Sequence, residues 1–119
     1  MKPKKKILLF IDWYLPGFKA GGPITSCANL VGHLSNYYDF YIVTRNTDYC
    51  EKEPYEFIKP NVWNNQKDGS SVYYVSDSNL NFSFLKKLVK SIEFDIMYVN
   101  GIYSKYFSIY PLLISKGMG

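Results

Sequence analysis

The chain has 119 residues, a formal net charge of +4, and apolar and aromatic shares of 47% and 18%. That length suits one domain, and the apolar share is ordinary for a globular protein and can build a packed core. Part of the positive excess is a solvated end, because Lys2, Lys4, Lys5 and Lys6 crowd the N-terminus; the charge alone does not choose among nucleic acid, anionic lipid and a phosphorylated substrate.

The first element is the near-continuous apolar run Ile7–Trp13, which reads as a strand buried on both faces, as in a parallel sheet. A loop with Gly17, Gly21 and Gly22 follows, and Pro23 opens a helix through Asn36. Ile24, Cys27, Ala28, Val31 and Leu34 form its apolar stripe, leaving His33 on the polar side. Asp39–Thr44 is a second strand, rich in β-branched and aromatic residues. Arg45 to about Ser71 is polar, contains Pro54 and Pro60, and ends in the turn signal Asp68-Gly69. A bare loop of that length is uncommon, so the expectation is an ordered excursion with one helical turn, pinned by Tyr55, Phe57, Ile58, Val62 and Trp63. Val72–Ser76 is a third strand and Phe82–Glu93 a short helix, with Leu85, Leu88, Val89 and Ile92 opposite Lys86, Lys87 and Lys90. Asp95–Val99 is a fourth strand, Asn100-Gly101 a turn, and Tyr103–Lys116 a last helix with Phe107, Tyr110, Leu113 and Ile114 on its core side.

Strands alternating with helices give an α/β class: a Rossmann-like, doubly wound parallel sheet in three αβα layers. Ligands of such sheets bind outside the carboxyl ends of the strands. Those ends are the 13–22 loop, residues 44–46, residues 76–77 and residues 100–104, so these four segments are expected to share one rim.

Several chemistries are excluded. The fingerprint GxGxxG is missing after the first strand, and the second ends Thr44-Arg45-Asn46 with no acid for a ribose, which argues against a dehydrogenase. GxxxxGK[ST] is absent, so there is no P-loop. Asp12 stands alone after the first strand, unlike the clustered acids of a receiver domain. His33 is the single histidine and lies away from the rim, so no catalytic triad forms, and no His, Cys, Asp or Glu set has metal spacing. Cys27 reads as a buried thiol and Cys50 as a loop thiol; without CxxC they suit a reducing compartment. The apolar run after the N-terminal lysines stops at Asp12, too short for a signal peptide, and nothing approaches a membrane span. The expected location is cytoplasmic. The Gly21-Gly22-Pro23 loop is the best candidate for chemistry, because a glycine loop and a helix N-terminus direct N–H groups at an anion. Its plainer reading is a connection in which glycine permits positive φ.

The order of motifs resembles the N-terminal domain of family-4 glycosyltransferases with the two-domain GT-B fold. The resemblance rests on Lys6-Ile7-Leu8 running into Asp12-Trp13-Tyr14 and Pro16, then Gly21-Gly22-Pro23; on Asp39–Thr44 followed by Arg45; on Gly69–Ser76; and on Phe94–Gly101 with the helix Ser104–Lys116. It covers nearly the whole chain. It implies a retaining, metal-independent transfer of sugar from a nucleotide sugar to a glycan or lipid-linked acceptor, with no other cofactor. Gly21 and Gly22 would approach the donor's phosphates; Asn100, Gly101 and Tyr103 would line the acceptor cleft, and Lys19 and Arg45 would meet a charged acceptor. The family often has His where Asn100 stands, and Asn cannot shuttle a proton.

Residues 1–119 are thus expected to be a single acceptor-side domain, truncated before the last strands of its sheet. The donor-binding C-terminal domain with its Glu-x7-Glu motif would be a missing partner, and the isolated piece would be inactive. The lysines at the N-terminus and on Phe82–Glu93 fit contact with the inner face of a membrane and fit a plain soluble surface equally well. The alternative is a stand-alone, non-catalytic α/β module that binds a ligand or partner. A nucleic-acid-binding domain ranks last, because the aromatics lack a stacking motif.

Overall fold

A computed structural model describes residues 4–101 and 104–117. Its sheet has five strands: β1 (Lys5–Phe10), β2 (Tyr38–Arg45), β3 (Trp63–Asn65), β4 (Ser71–Val75) and β5 (Ile96–Val99), in the order β3-β4-β2-β1-β5. β4, β2, β1 and β5 are parallel, and β3 pairs antiparallel with β4 at one edge. The chain starts at the centre, winds out through β2 to β4, then crosses back to place β5 on the other flank of β1. This is the doubly wound, Rossmann-like arrangement read from the sequence.

Side-chain alternation along the strands divides the core in two. Ile7, Leu9 and Ile11, with Phe40, Ile42, Val72 and Tyr74, pack against α1 (Gly22–Leu34) through Cys27 and Val31. Leu8, Phe10, Val43, Tyr73 and Val75 pack against α2 (Phe82–Lys90) through Leu85, Leu88 and Val89, against α3 (Tyr110–Gly117) through Ile114, and against Phe107 just before α3. Leu8, Leu9 and Phe10 have no exposed surface, as expected of a central parallel strand covered on both faces. Burial on that scale contributes about 1.5–3 kcal/mol per large side chain, and β1 is where both layers draw on it.

The long segment between β2 and β4 departs from expectation. It contains β3, an edge strand rather than a helical turn; Trp63 stands edge-on to Tyr41 and Tyr73 at 5.4 and 5.3 Å. Asn46–Asn61 covers the α1 face of the sheet, where Tyr55 and Ile58 pack beside α1 residues. The excursion thus takes the position a crossover helix would fill. Its chemistry forbids a helix: Pro54 and Pro60 interrupt the N–H ladder, and Cys50, Phe57 and Asn61 sit at positive φ.

The last helix also differs. Ser104 accepts the Phe107 N–H at 3.2 Å, a π-helical turn runs over Lys105–Ile109, and α3 follows. Phe107, Pro111 and Ile114 face the core at ordinary i, i+4, i+7 spacing, while Leu113 is 53% exposed, against the sequence expectation. β5 is an open edge, with Ile96 and Tyr98 exposed.

Candidate functional site

The winding reverses between β1 and β5, and at their carboxyl ends lies a cleft of about 530 Å3. Its walls come from four places: Ile11, Asp12 and Trp13 after β1, Lys19, Ala20 and Pro23 before and within α1, Tyr49 of the excursion, and Asn100, Gly101 and Ser104 after β5. A crevice at this topological switch point is where open α/β sheets place ligands.

Asp12 is the fixed point of the floor. One of its oxygens, Oδ1, accepts the Ser104 hydroxyl at 2.7 Å and the Arg45 guanidinium at 3.4 Å. The other, Oδ2, accepts from none of the described residues. A mostly buried carboxylate that lines the cleft and is held by one oxygen keeps little freedom to lose. Arg45 does not line the cleft. It lies beneath it, its guanidinium 5.4 Å from the Trp13 ring centre and 5.2 Å from that of Phe107, and Asp12 balances its charge. Tyr49 stands edge-on to Trp13 at 4.9 Å and so fixes the indole as a wall.

The glycine loop is organised by a residue whose role the sequence reading left unrecognised. Asp48 is only 8% exposed, and its carboxylate accepts the N–H groups of Phe18 at 3.2 Å, Lys19 at 3.2 Å and Tyr49 at 2.8 Å. The loop therefore already holds an internal anion. Its sequence signal is an Asp placed just after β2, at the start of the polar 45–71 excursion. The Lys19 ammonium pairs with Glu51 across the same seam.

Gly21 caps α1 at φ 74, and its N–H donates to the Phe18 carbonyl. Ile24 donates to the Gly21 carbonyl and Pro23 has no N–H, so among the described residues the Gly22 N–H is the one unpaired donor of the first three helical positions. Gly21 and Gly22 are exposed at the lip rather than in the cleft lining.

Of the residues singled out in the sequence, Lys19, Asn100 and Gly101 share the cleft, Gly21 and Gly22 flank it, and Arg45 supports it from below. Tyr103 lies outside the described residues. The Asn100 amide nitrogen donates to the Cys27 thiol at 3.2 Å, turning that end of the side chain toward α1. Burial pushes the Cys27 thiol pKa up, and the Asn100 hydrogen bond partly opposes it, so Cys27 is a neutral packing group at neutral pH. Among the described residues no three His, Cys, Asp or Glu side chains converge where a metal ion could sit, and no helix is long and apolar enough to cross a membrane. Comparison with known protein families, curated proteins and solved structures found no significant match.

Proposed function

We propose that this chain is the acceptor-side domain of a retaining, metal-independent glycosyltransferase, acting with a nucleotide sugar and a glycan or lipid-linked acceptor. The observation that supports this reading best is the composition of the switch-point cleft. It combines a carboxylate on Asp12 held through one oxygen, an amide on Asn100, an indole wall at Trp13 and the Lys19 ammonium, which is shared with Glu51. Carboxylate and amide groups suit hydroxyls, an indole suits a sugar ring, and Lys19 with the Gly22 N–H suits a phosphate at the lip.

The same composition limits what the chain does alone. Among the described residues the cleft has no histidine, Asn100 cannot shuttle a proton, and the sequence holds no Glu-x7-Glu. Transfer needs donor and acceptor held in register, so the 119 residues bind without turnover. The test is a 15N NMR titration with UDP-glucose, GDP-mannose and glucose 1-phosphate, alongside an assay for sugar release. The expected result is shifts at Trp13, Lys19, Gly22, Asn100 and Gly101 with no release. A cleft silent to all three compounds sinks the reading, and release by the chain alone sinks its inactivity.

One observation favours a second reading, a non-catalytic α/β binding module. Asp48 already occupies the loop N–H groups that a phosphate would use, so the cleft would take a neutral ligand or a partner's side chain. Shifts from glucose but none from glucose 1-phosphate would select this reading.

A further inference from the structure

Phe57 carries two costs with no return inside the fold. Its ring is fully exposed, and its backbone sits at φ 63, where a residue with a Cβ is strained and Gly or Asn would be at ease. Strain of this kind persists at sites of function. The ring lines a second groove of about 480 Å3 that shares no lining residue with the cleft. Leu15, Pro16 and Ile58 give it an apolar side; Glu56, Asn64, Asn65 and Gln66 give it a polar one.

The amides are anchored at one end and free at the other. Asn64 Nδ2 donates to the carbonyls of Lys59 at 2.9 Å and Val62 at 3.1 Å. Gln66 Nε2 donates to the Asn64 carbonyl at 3.2 Å, and Asn65 Oδ1 accepts the Ser71 hydroxyl at 3.0 Å. This leaves Asn64 Oδ1, Gln66 Oε1, Asn65 Nδ2 and the Glu56 carboxylate with no partner among the described residues. Acceptors therefore outnumber donors, and the one charge is negative. A phosphate or an acidic polymer is repelled. A peptide strand would need donors and acceptors in alternation. A neutral sugar fits, since each hydroxyl donates and its ring can lie on an exposed phenyl face.

We propose that this groove binds a neutral oligosaccharide, with Phe57 as the stacking platform and Asn64, Asn65, Gln66 and Glu56 as hydroxyl partners. It stands apart from the cleft reading, since the two sites are lined by different residues. The test is a 15N NMR titration of the full chain with maltohexaose, cellohexaose, chitohexaose and a neutral hexapeptide, following the side-chain amide signals of Asn64, Asn65 and Gln66. At least one hexasaccharide is expected to move these signals at millimolar concentration. Phe57→Ala is expected to weaken that binding about tenfold, as loss of a stacking anchor does. The double variant Asn65→Ala/Gln66→Ala is expected to act alike, and all these positions except Asn64 are exposed, so folding is spared. Silence to all three sugars, an undiminished response in Phe57→Ala, or a response to the peptide alone would overturn the proposal.

Discussion

The Gly17 α-carbon faces the Tyr55 hydroxyl with no room for a side chain between them. A Cβ built there would collide with that hydroxyl, lie 2.8 Å from Asp48 Oδ1 and 3.0 Å from the Tyr14 carbonyl. Tyr55 and Asp48 are both held, by the Tyr14 carbonyl and by loop N–H groups respectively, so neither yields cheaply. Gly17→Ala should therefore cost about 1–3 kcal/mol, the usual penalty of overpacking. Gly21→Ala meets open space but puts a side chain at φ 74, ψ −126, a backbone region close to glycine-only, about 1–3 kcal/mol. Urea unfolding should show both variants destabilised; a parent-like midpoint for Gly17→Ala would mean that the loop relaxes around Tyr55.

Asp48→Ala removes the acceptor for three backbone N–H groups. The loss should be about 2 kcal/mol, since charge-assisted bonds are stronger than neutral ones but water can reach this seam. The vacated N–H groups should then accept an anion from solution. Thermal unfolding in phosphate buffer against a neutral organic buffer at matched ionic strength reads this directly. Phosphate should raise the Tm of the variant more than that of the parent, and equal shifts would show that the loop collapses without its carboxylate.

The sheet was legible because its signals are local and strong. The apolar run of β1 and the β-branched and aromatic runs DFYIVT and VYYVS leave few other readings, and the Rossmann-like order follows from them. The 45–71 excursion was not legible in detail, because β3 is three residues long and is set by Trp63 lodging between Tyr41 and Tyr73, a tertiary effect. Leu113 was misplaced because it was grouped with its neighbour Ile114, although a 3.6-residue period already sets it off the face shared by Phe107, Pro111 and Ile114. In the cleft, Lys19, Asn100 and Gly101 were readable from strand ends. Asp12 had looked solitary, since its partners Arg45 and Ser104 lie 33 and 92 residues away in sequence. Asp48 escaped for the same reason: its carboxylate serves N–H groups about thirty residues upstream.

Three phenols give the fold an alkaline limit. Burial raises the pKa of Tyr74 from 10.0 to about 12, and burial above all raises those of Tyr14 and Tyr55. The neutral phenol is favoured in the folded state. Its contribution is intact below the ordinary phenol value and is lost as pH climbs toward the folded value, because the unfolded chain ionises first. Each buried phenol can remove up to about 1.4 kcal/mol per pH unit in that window. Tyr74→Phe loses the 2.6 Å bond to the Leu15 carbonyl, about 1 kcal/mol at neutral pH, but is spared the ionisation. The gap between parent and variant in urea midpoints should shrink from neutral to strongly alkaline pH, and a constant gap would count against burial as the cause.

The Asp12–Arg45 pair yields the sharpest asymmetry. Each side chain is about one-fifth exposed, and Arg45 is enclosed by Trp13, Tyr106 and Phe107. Asp12→Ala leaves a guanidinium among aromatic rings without its counter-charge and frees Ser104, whose hydroxyl also caps the turn into α3. The expected loss is about 2 kcal/mol, below the full penalty of a buried unpaired charge because water reaches one side. Arg45→Met keeps the stacking volume and removes the need for Asp12. The double variant Asp12→Ala/Arg45→Met should therefore be more stable than Asp12→Ala alone, although it carries one substitution more. If the two losses simply add, Arg45 is held by its aromatic neighbours and owes Asp12 nothing, and the Asp12 carboxylate is then fixed by Ser104 alone.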